Sequence, residues 1–251
     1  MITYEDKSLK LTIGKGSIPL YMQIKELLVA KISKGDWRPG DMIPSEMLLA
    51  HELEVSQGTV RKAITELVEN NVLVRKQGRG TFVSNHDDHR ALFHFFHITD
   101  NAGHKVLPDS SVQSCRVKPA TKIESSILQL DPGASVIKIE RVRNIENRPT
   151  ITESIVLPAE PFARLFEGKG CHLPNMLYEL YEKQFGVTIH SANEQLRAVV
   201  ATKKDASQLH LEVGTPLLEI KRLALTLDKT PVEFRISRCN TKNHYYENTI
   251  F

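Results

Sequence analysis

One pattern occurs twice in this chain. Ala120-Thr121-Lys122-x-x-x-Ser126-x-Leu128-x-Leu130-x-x-Gly133 recurs as Ala201-Thr202-Lys203-x-x-x-Ser207-x-Leu209-x-Leu211-x-x-Gly214. The register continues through Ile139 and Arg141 against Ile220 and Arg222, and backward to Arg116 against Arg197. With a one-residue shift, Arg148-Pro149-Thr150 meets Thr230-Pro231-Val232. Two copies of one pattern must fold alike and bury matching faces, a tighter constraint than any single periodicity. Each copy reads as strand, short helix, glycine turn, strand, polar hairpin and strand. Together they predict one antiparallel sheet, with helices over Phe162–Phe166 and Met176–Phe185 lying between the copies, so this part of the chain is an α+β domain.

Side chains alternate along a strand, so Ile137, Ile139, Arg141 and Arg143 share a face. On the next strand Ile151, Glu153, Ile155 and Leu157 do the same, which places a carboxylate among aliphatic groups. Burying such charges unpaired costs several kcal/mol, so they need each other or a ligand. Arg141 recurs as Arg222, which favours a structural pair while leaving an anion-binding role open. Arg143 has Ala224 as its counterpart, so the scaffold does not demand it, and it becomes the candidate for holding an anion.

Upstream, Pro44–Leu73 predicts two short helices around a tight corner. Ser45 caps the first, with Glu46 near its positive end and Leu48, Leu49 and Leu53 as its apolar stripe. Ser56 caps the second, whose inward positions Val60, Ala63, Ile64, Leu67 and Val68 recur at helical spacing. The opposite face then carries Gln57, Gly58, Thr59, Arg61 and Lys62, where a helix entering a major groove presents side chains to base edges. A helix opening at Pro19-Leu20-Tyr21 and ending before Gly35 supports this pair. Val72–Lys76 and Thr81–Val83 predict a hairpin whose basic, glycine-rich tip is Gln77-Gly78-Arg79-Gly80. Arg75, Lys76 and Arg79 join Arg61 and Lys62 on the side that would meet phosphate.

Several spaced motifs agree with one family. Pro19-Leu20-Tyr21-x-Gln23-Ile24, Gly35-x-Trp37-x-Pro39-Gly40-Asp41-x-Ile43-Pro44-Ser45-Glu46, Val55-Ser56-x-x-Thr59-Val60-Arg61-x-Ala63 and Gly78-x-Gly80-Thr81-Phe82-Val83 resemble the winged helix-turn-helix of GntR-family bacterial transcription regulators. The resemblance implies a homodimer on a pseudo-palindromic operator. It also implies that Ser45 and Glu46 start the helix meeting the backbone, that Ser56, Thr59 and Arg61 contact DNA, and that Gly78–Gly80 enters the minor groove. Many members carry a basic residue where Met47 stands and an arginine where Gln57 stands. Arginine reads guanine and glutamine more often adenine, so a different half-site is expected.

The duplicated domain resembles the UTRA ligand-binding domain of the HutC-type subfamily, whose fold is like chorismate lyase. The signals are Arg141-x-Arg143, Arg148-Pro149-x-x-x-Glu153 with Leu157-Pro158, Leu217-Leu218-x-Ile220-x-Arg222 and Pro231-Val232-Glu233. The likeness implies an effector pocket lined by Arg141, Arg143, Glu153 and Glu233. In members that take sugar phosphates, small hydroxyl residues before the domain hold the phosphate. Here Phe96-His97-Ile98-Thr99-Asp100 offers Thr99, and a carboxylate effector is equally consistent.

The resulting organisation is a tail over residues 1–16, a DNA-binding domain over 17–85, a polar linker over 86–91 and an effector domain over 92–251. A net charge of +3 permits nucleic-acid binding without demanding it, so the argument rests on where the charges lie. No apolar run reaches membrane-spanning length and no signal-peptide core opens the chain, so a cytoplasmic location is expected. Cys115, Cys171 and Cys239 are widely spaced, and reduced thiols are expected. His86, His89, His94 and His97 beside Asp87 and Asp88 lack the spacing of a zinc site, so neither metal nor cofactor is expected. The leading function is a ligand-responsive regulator, most simply a repressor, whose DNA affinity is set by a small anion. An enzyme is the rival, with Glu153 as general acid, but no nucleophile with a paired base accompanies it. An architectural DNA binder without effector is a third reading.

Overall fold

The computed structural model describes residues 18–85, 95–105, 107–166 and 173–248, and the chain divides into two compact units, Met1–Asn85 and His86–Phe251. In the first unit, α1 (Leu20–Ser33) and α2 (Glu46–Glu52) pack on α3 (Gln57–Glu69). Ile24 and Leu28 of α1, Leu49 and Ala50 of α2, and Val60, Ala63, Ile64 and Leu67 of α3 are buried. Leu48 was expected in that stripe but is 48% exposed, because a seven-residue helix turns only one narrow face inward. Ser45 accepts from Leu48 N, and Ser56 accepts from Thr59 N, at the two helix starts. At the other end of α3, Asn71 takes a left-handed conformation while Asn71 N donates to Val68 O and Val72 N to Leu67 O. This closing turn delivers the chain into β1 (Leu73–Lys76). β1 pairs antiparallel with β2 (Gly80–Val83), and Met42 bridges Phe82 on the other side of β2.

The second unit is built around a six-stranded antiparallel sheet ordered β4-β5-β6-β9-β8-β7. Its first half is β4 (Asp109–Pro119), α4 (Lys122–Leu128), β5 (Ser135–Ile145) and β6 (Arg148–Pro158). Its second half is β7 (Ser191–Val200), α6 (Lys203–Leu209), β8 (Pro216–Leu225) and β9 (Pro231–Cys239). The halves repeat down to their caps. Thr121 with Glu124 and Thr202 with Asp205 form reciprocal capping boxes, and Gln129 and His210 close α4 and α6 at the same φ of 54°. Strand register repeats too: Arg141 faces Glu153 across β5 and β6, and Arg222 faces Arg235 at the matching place across β8 and β9. The halves meet where β6 pairs with β9, Ser154 opposite Ile236.

Both faces of the sheet are covered. Val136, Val142 and Val156 pack toward α4 and α6, whereas Ile137, Ile139, Ile155 and Leu157 pack against Phe162 and against Leu177, Leu180 and Tyr181 of α5 (Leu177–Phe185). A 3-10 turn, Ala163–Phe166, stands where the first of the two intervening helices was expected. On the same face as α5, β3 (Ile98–Asp100) pairs with β10 (His244–Tyr246), and Ile98 packs with Ile145, Ile151, Ile220 and Cys239. Cys239 is a buried free thiol, but Cys115 is disulfide-bonded, against the expectation of reduced thiols throughout. The expected linker and the histidines His86, His89 and His94 lie outside the described residues. Among the described residues, no helix is long and apolar enough to cross a membrane.

Candidate functional site

The first unit carries an exposed polar face. Ser56, Gln57, Gly58, Arg61 and Lys62 at the start of α3 are exposed and Thr59 is half-buried, its hydroxyl 2.7 Å from Ser56 Oγ. Arg75, Lys76, Gly78, Arg79 and Gly80 are exposed on the hairpin, and Ser45 is exposed at the start of α2. Glu46 sits inside this face rather than at its rim: its oxygens accept from Arg61 Nε at 2.8 Å and from Arg75 Nη2 at 3.0 Å. Lys62 lies over the Tyr21 ring at 3.8 Å and Lys76 over Phe82 at 5.0 Å, so both stems are held against the domain. Met47, 71% exposed, and the exposed Gln57 lie on the same side, without a charge.

The second unit holds a pocket between the sheet, α5 and the β3–β10 pair, with about 860 Å³ of space including its solvent-open mouth. Its floor is polar. Arg141, Arg143, Glu153, Arg222, Arg235 and Ser237 project from β5, β6, β8 and β9. Glu153 is served on both oxygens: Arg141 Nε donates to Oε2, and Arg235 Nη1 and Ser237 Oγ donate to Oε1 at 3.3 Å each. Burial alone would raise its pKa, but the charges of Arg141, Arg235 and Arg143 outweigh burial and hold this carboxyl far below its ordinary range. Arg235 also grips Glu233 with two hydrogen bonds, of 2.9 and 2.8 Å, and Tyr178 and Tyr181 donate to Glu233 from α5. Arg222 donates to Glu194 Oε1 at 2.6 Å and to the Phe95 carbonyl.

Arg143 is the exception. Among the described residues its closest carboxylate is Glu153, 3.9 Å away, and its buried Nε has no hydrogen-bond partner. Burial drives its pKa down to about 9, offset in part by Glu153 and worsened by the neighbouring charges of Arg141, Arg235 and Arg222. The Phe96 ring lies 5.2 Å from its guanidinium. The cluster of Arg141, Arg143, Arg222 and Arg235 with Glu153, Glu194 and Glu233 therefore holds one more cation than it holds carboxylates. Asn175, the cap residue Met176 and the first turn of α5, Leu177 through Glu179, form one wall and add the positive end of a helix dipole. Phe95, Phe96, His97, Ile151, Ile220 and Tyr246 complete an apolar and aromatic surround.

The structure thus brings Arg141, Arg143 and Glu153 together, as the strand alternation predicts. Two residues expected to touch an effector do not line the cavity. Thr99 is fully buried and its hydroxyl donates to Glu247 at 3.4 Å, because β3 turns it into the pairing with β10. Glu233 is fully buried behind the floor, where its oxygens are taken by Arg235 and the two tyrosines. Sequence reasoning missed Arg235, Ser237, Tyr178 and the Phe95–Ile98 wall. The signal for Arg235 was present: the one-residue shift in the repeat places it at the position of Glu153. Cys239 also stands on the wall, and burial pushes its thiol up to about 12, which favours the neutral form.

Comparison with known proteins agrees with both units. Residues 20–83 match the model described as bacterial regulatory proteins, gntR family, and residues 103–245 match the UTRA domain. The chain is 32% identical over 225 residues to the HTH-type transcriptional repressor NagR of Bacillus subtilis (strain 168), covering 89% of this chain and 91% of that one. It is 36% identical over 229 residues to the histidine utilization repressor of Pseudomonas putida, covering 84% of each. Among solved structures it is similar to the ligand-binding domain of a GntR-family transcriptional regulator from Bordetella bronchiseptica. That likeness has a TM-score of 0.56 at 28% identity and covers 62% of this chain and 98% of the other.

Proposed function

The chain belongs to the GntR family of bacterial transcriptional regulators and carries a UTRA effector domain, and from that premise we propose that it is a repressor released from its operator by a small anion held at Arg143. It is a regulator and not an enzyme, as are the relatives it matches. The observation that carries the effector reading is the buried, unpartnered Nε of Arg143 in a cluster with one surplus cation. A carboxylate or phosphate group there would supply the missing acceptor, and Arg141 would flank it while remaining paired to Glu153.

On the DNA side, Ser56, Gln57, Gly58, Thr59, Arg61 and Lys62 form the groove-facing surface. Ser45, Arg75, Lys76 and the Gly78–Gly80 tip serve the backbone and the adjacent minor groove. The protein works as a homodimer on two half-sites one helical turn, about 34–36 Å, apart, and its place is the cytoplasm, where that DNA lies.

The test starts with duplexes enriched by the full chain from a random-sequence library. Binding of a labelled enriched duplex is then titrated with sugar phosphates and with aliphatic, aromatic and imidazole carboxylates. At least one anion is expected to release the duplex and to raise the melting temperature, and Arg143→Ala is expected to bind the duplex without responding. Normal induction in Arg143→Ala would overturn the pocket assignment, and absence of duplex enrichment would overturn the whole reading.

A further inference from the structure

Glu46 joins two arginines that come from different elements. Its Oε2 accepts from Arg61 Nε of α3 and its Oε1 from Arg75 Nη2 of β1, while the same Arg75 nitrogen donates to Thr65 Oγ1 at 3.1 Å. The Glu46 side chain is 20% exposed, against 60% for Arg61 and 43% for Arg75. Exposed ion pairs contribute about 0–1 kcal/mol, so fold stability does not explain the arrangement. An acidic residue in the first turn of α2 complements the helix dipole, yet that accounts for Glu46 alone and not for arginines of α3 and β1 converging on it.

We propose that Glu46 is a positioning residue that sets DNA specificity. It cancels one of the two guanidinium charges and holds Arg61 by its Nε edge, so phosphate alone rewards the pair little. The terminal nitrogens of Arg61 make no hydrogen bond to a described residue and are left to read a base edge. Attraction to phosphate counts charges and is blind to sequence, whereas a two-pronged contact from arginine to a guanine edge depends on geometry. A fixed carboxylate within the contact surface therefore weakens every complex by about one phosphate contact, and only a matching base repays Arg61. This inference rests on the reading that α3 and the hairpin face DNA.

The test compares the full-length wild type with Glu46→Gln, Glu46→Ala, Glu46→Asp and Arg61→Ala. Affinities are measured across a salt series on a random-sequence duplex and on the duplex enriched by the wild type. Both charge-removing variants are expected to steepen the slope of log K against log salt by about one unit on random duplex. Their affinity for it should rise roughly tenfold near 0.1 M salt, with a smaller gain on the enriched duplex, so the specificity ratio falls. Glu46→Asp, which keeps the charge, is expected to retain the wild-type slope. Unchanged slope and ratio in Glu46→Gln and Glu46→Ala, or equal losses on both duplexes, would overturn the proposal. If Arg61→Ala instead binds the enriched duplex normally, it is the facing of α3 toward DNA that fails.

Discussion

Arg143→Met removes a guanidinium that no side chain fully compensates, so two measurements should move in opposite senses. The unliganded protein should melt no lower than wild type, since replacing a buried, poorly paired charge with an apolar group is neutral or stabilising. The stabilisation that an effector brings, about 2.7 kcal/mol at a hundredfold its dissociation constant, should vanish. Glu153→Gln should behave differently, because it strands Arg141, Arg143 and Arg235 together. A loss of about 3–5 kcal/mol in urea unfolding is expected. Since the folded state depresses the Glu153 pKa, its contribution is fully present above the unfolded value near 4.3. That contribution should fade as pH falls below about 4, and the acid limb of the stability profile should flatten in Glu153→Gln. Strand alternation placed Arg141 and Glu153 among aliphatic groups and the recurrence of Arg141 at Arg222 favoured a structural pair, while the exceptional status of Arg143 was legible from its alanine counterpart. Thr99 and Glu233 were placed in the pocket by the family resemblance, yet both are fully buried outside its lining, because a likeness in motif does not fix which groups of a strand reach the cavity.

The caps and turns show most directly how local chemistry fixes the elements. Ser56 was readable as a helix start, and the structure adds Thr121 and Thr202, each of the three accepting from the backbone three residues on. The hairpin depends on Gly80, whose φ is +118° and whose added Cβ would stand 3.2 Å from Met42 Sδ. Gly80→Ala is expected to cost about 1–3 kcal/mol through backbone strain, while Gly78→Ala, with nothing within 4 Å of its Cβ and φ +68°, should cost less. Chemical denaturation of the two variants ranks them, and equal losses would refute the role given to Met42. What the sequence did not reveal here is the short β3–β10 pair: three-residue strands carry too little pattern to be recognised before their partners are known.

At the scale of the whole molecule, two sites on separate compact units must share one free energy of coupling. If an anion weakens operator binding by some factor, operator must weaken anion binding by the same factor, typically 5–150-fold for a coupling of about 1–3 kcal/mol. Calorimetric titration of the anion into protein with and without duplex checks this, and unequal factors would show that the anion acts elsewhere. The two-unit plan and the doubled sheet were both legible, because each rests on long patterns. The order of strands was not, since repetition alone leaves open whether the halves join by β6 and β9 or by their outer strands. That junction has a consequence for how such proteins diverge. Each half keeps an intact copy of the scaffold recipe in its caps and turns, so a codon change at Arg143, Glu153 or Arg235 can retune what the cavity recognises while the caps and turns that shape both halves stay as they are.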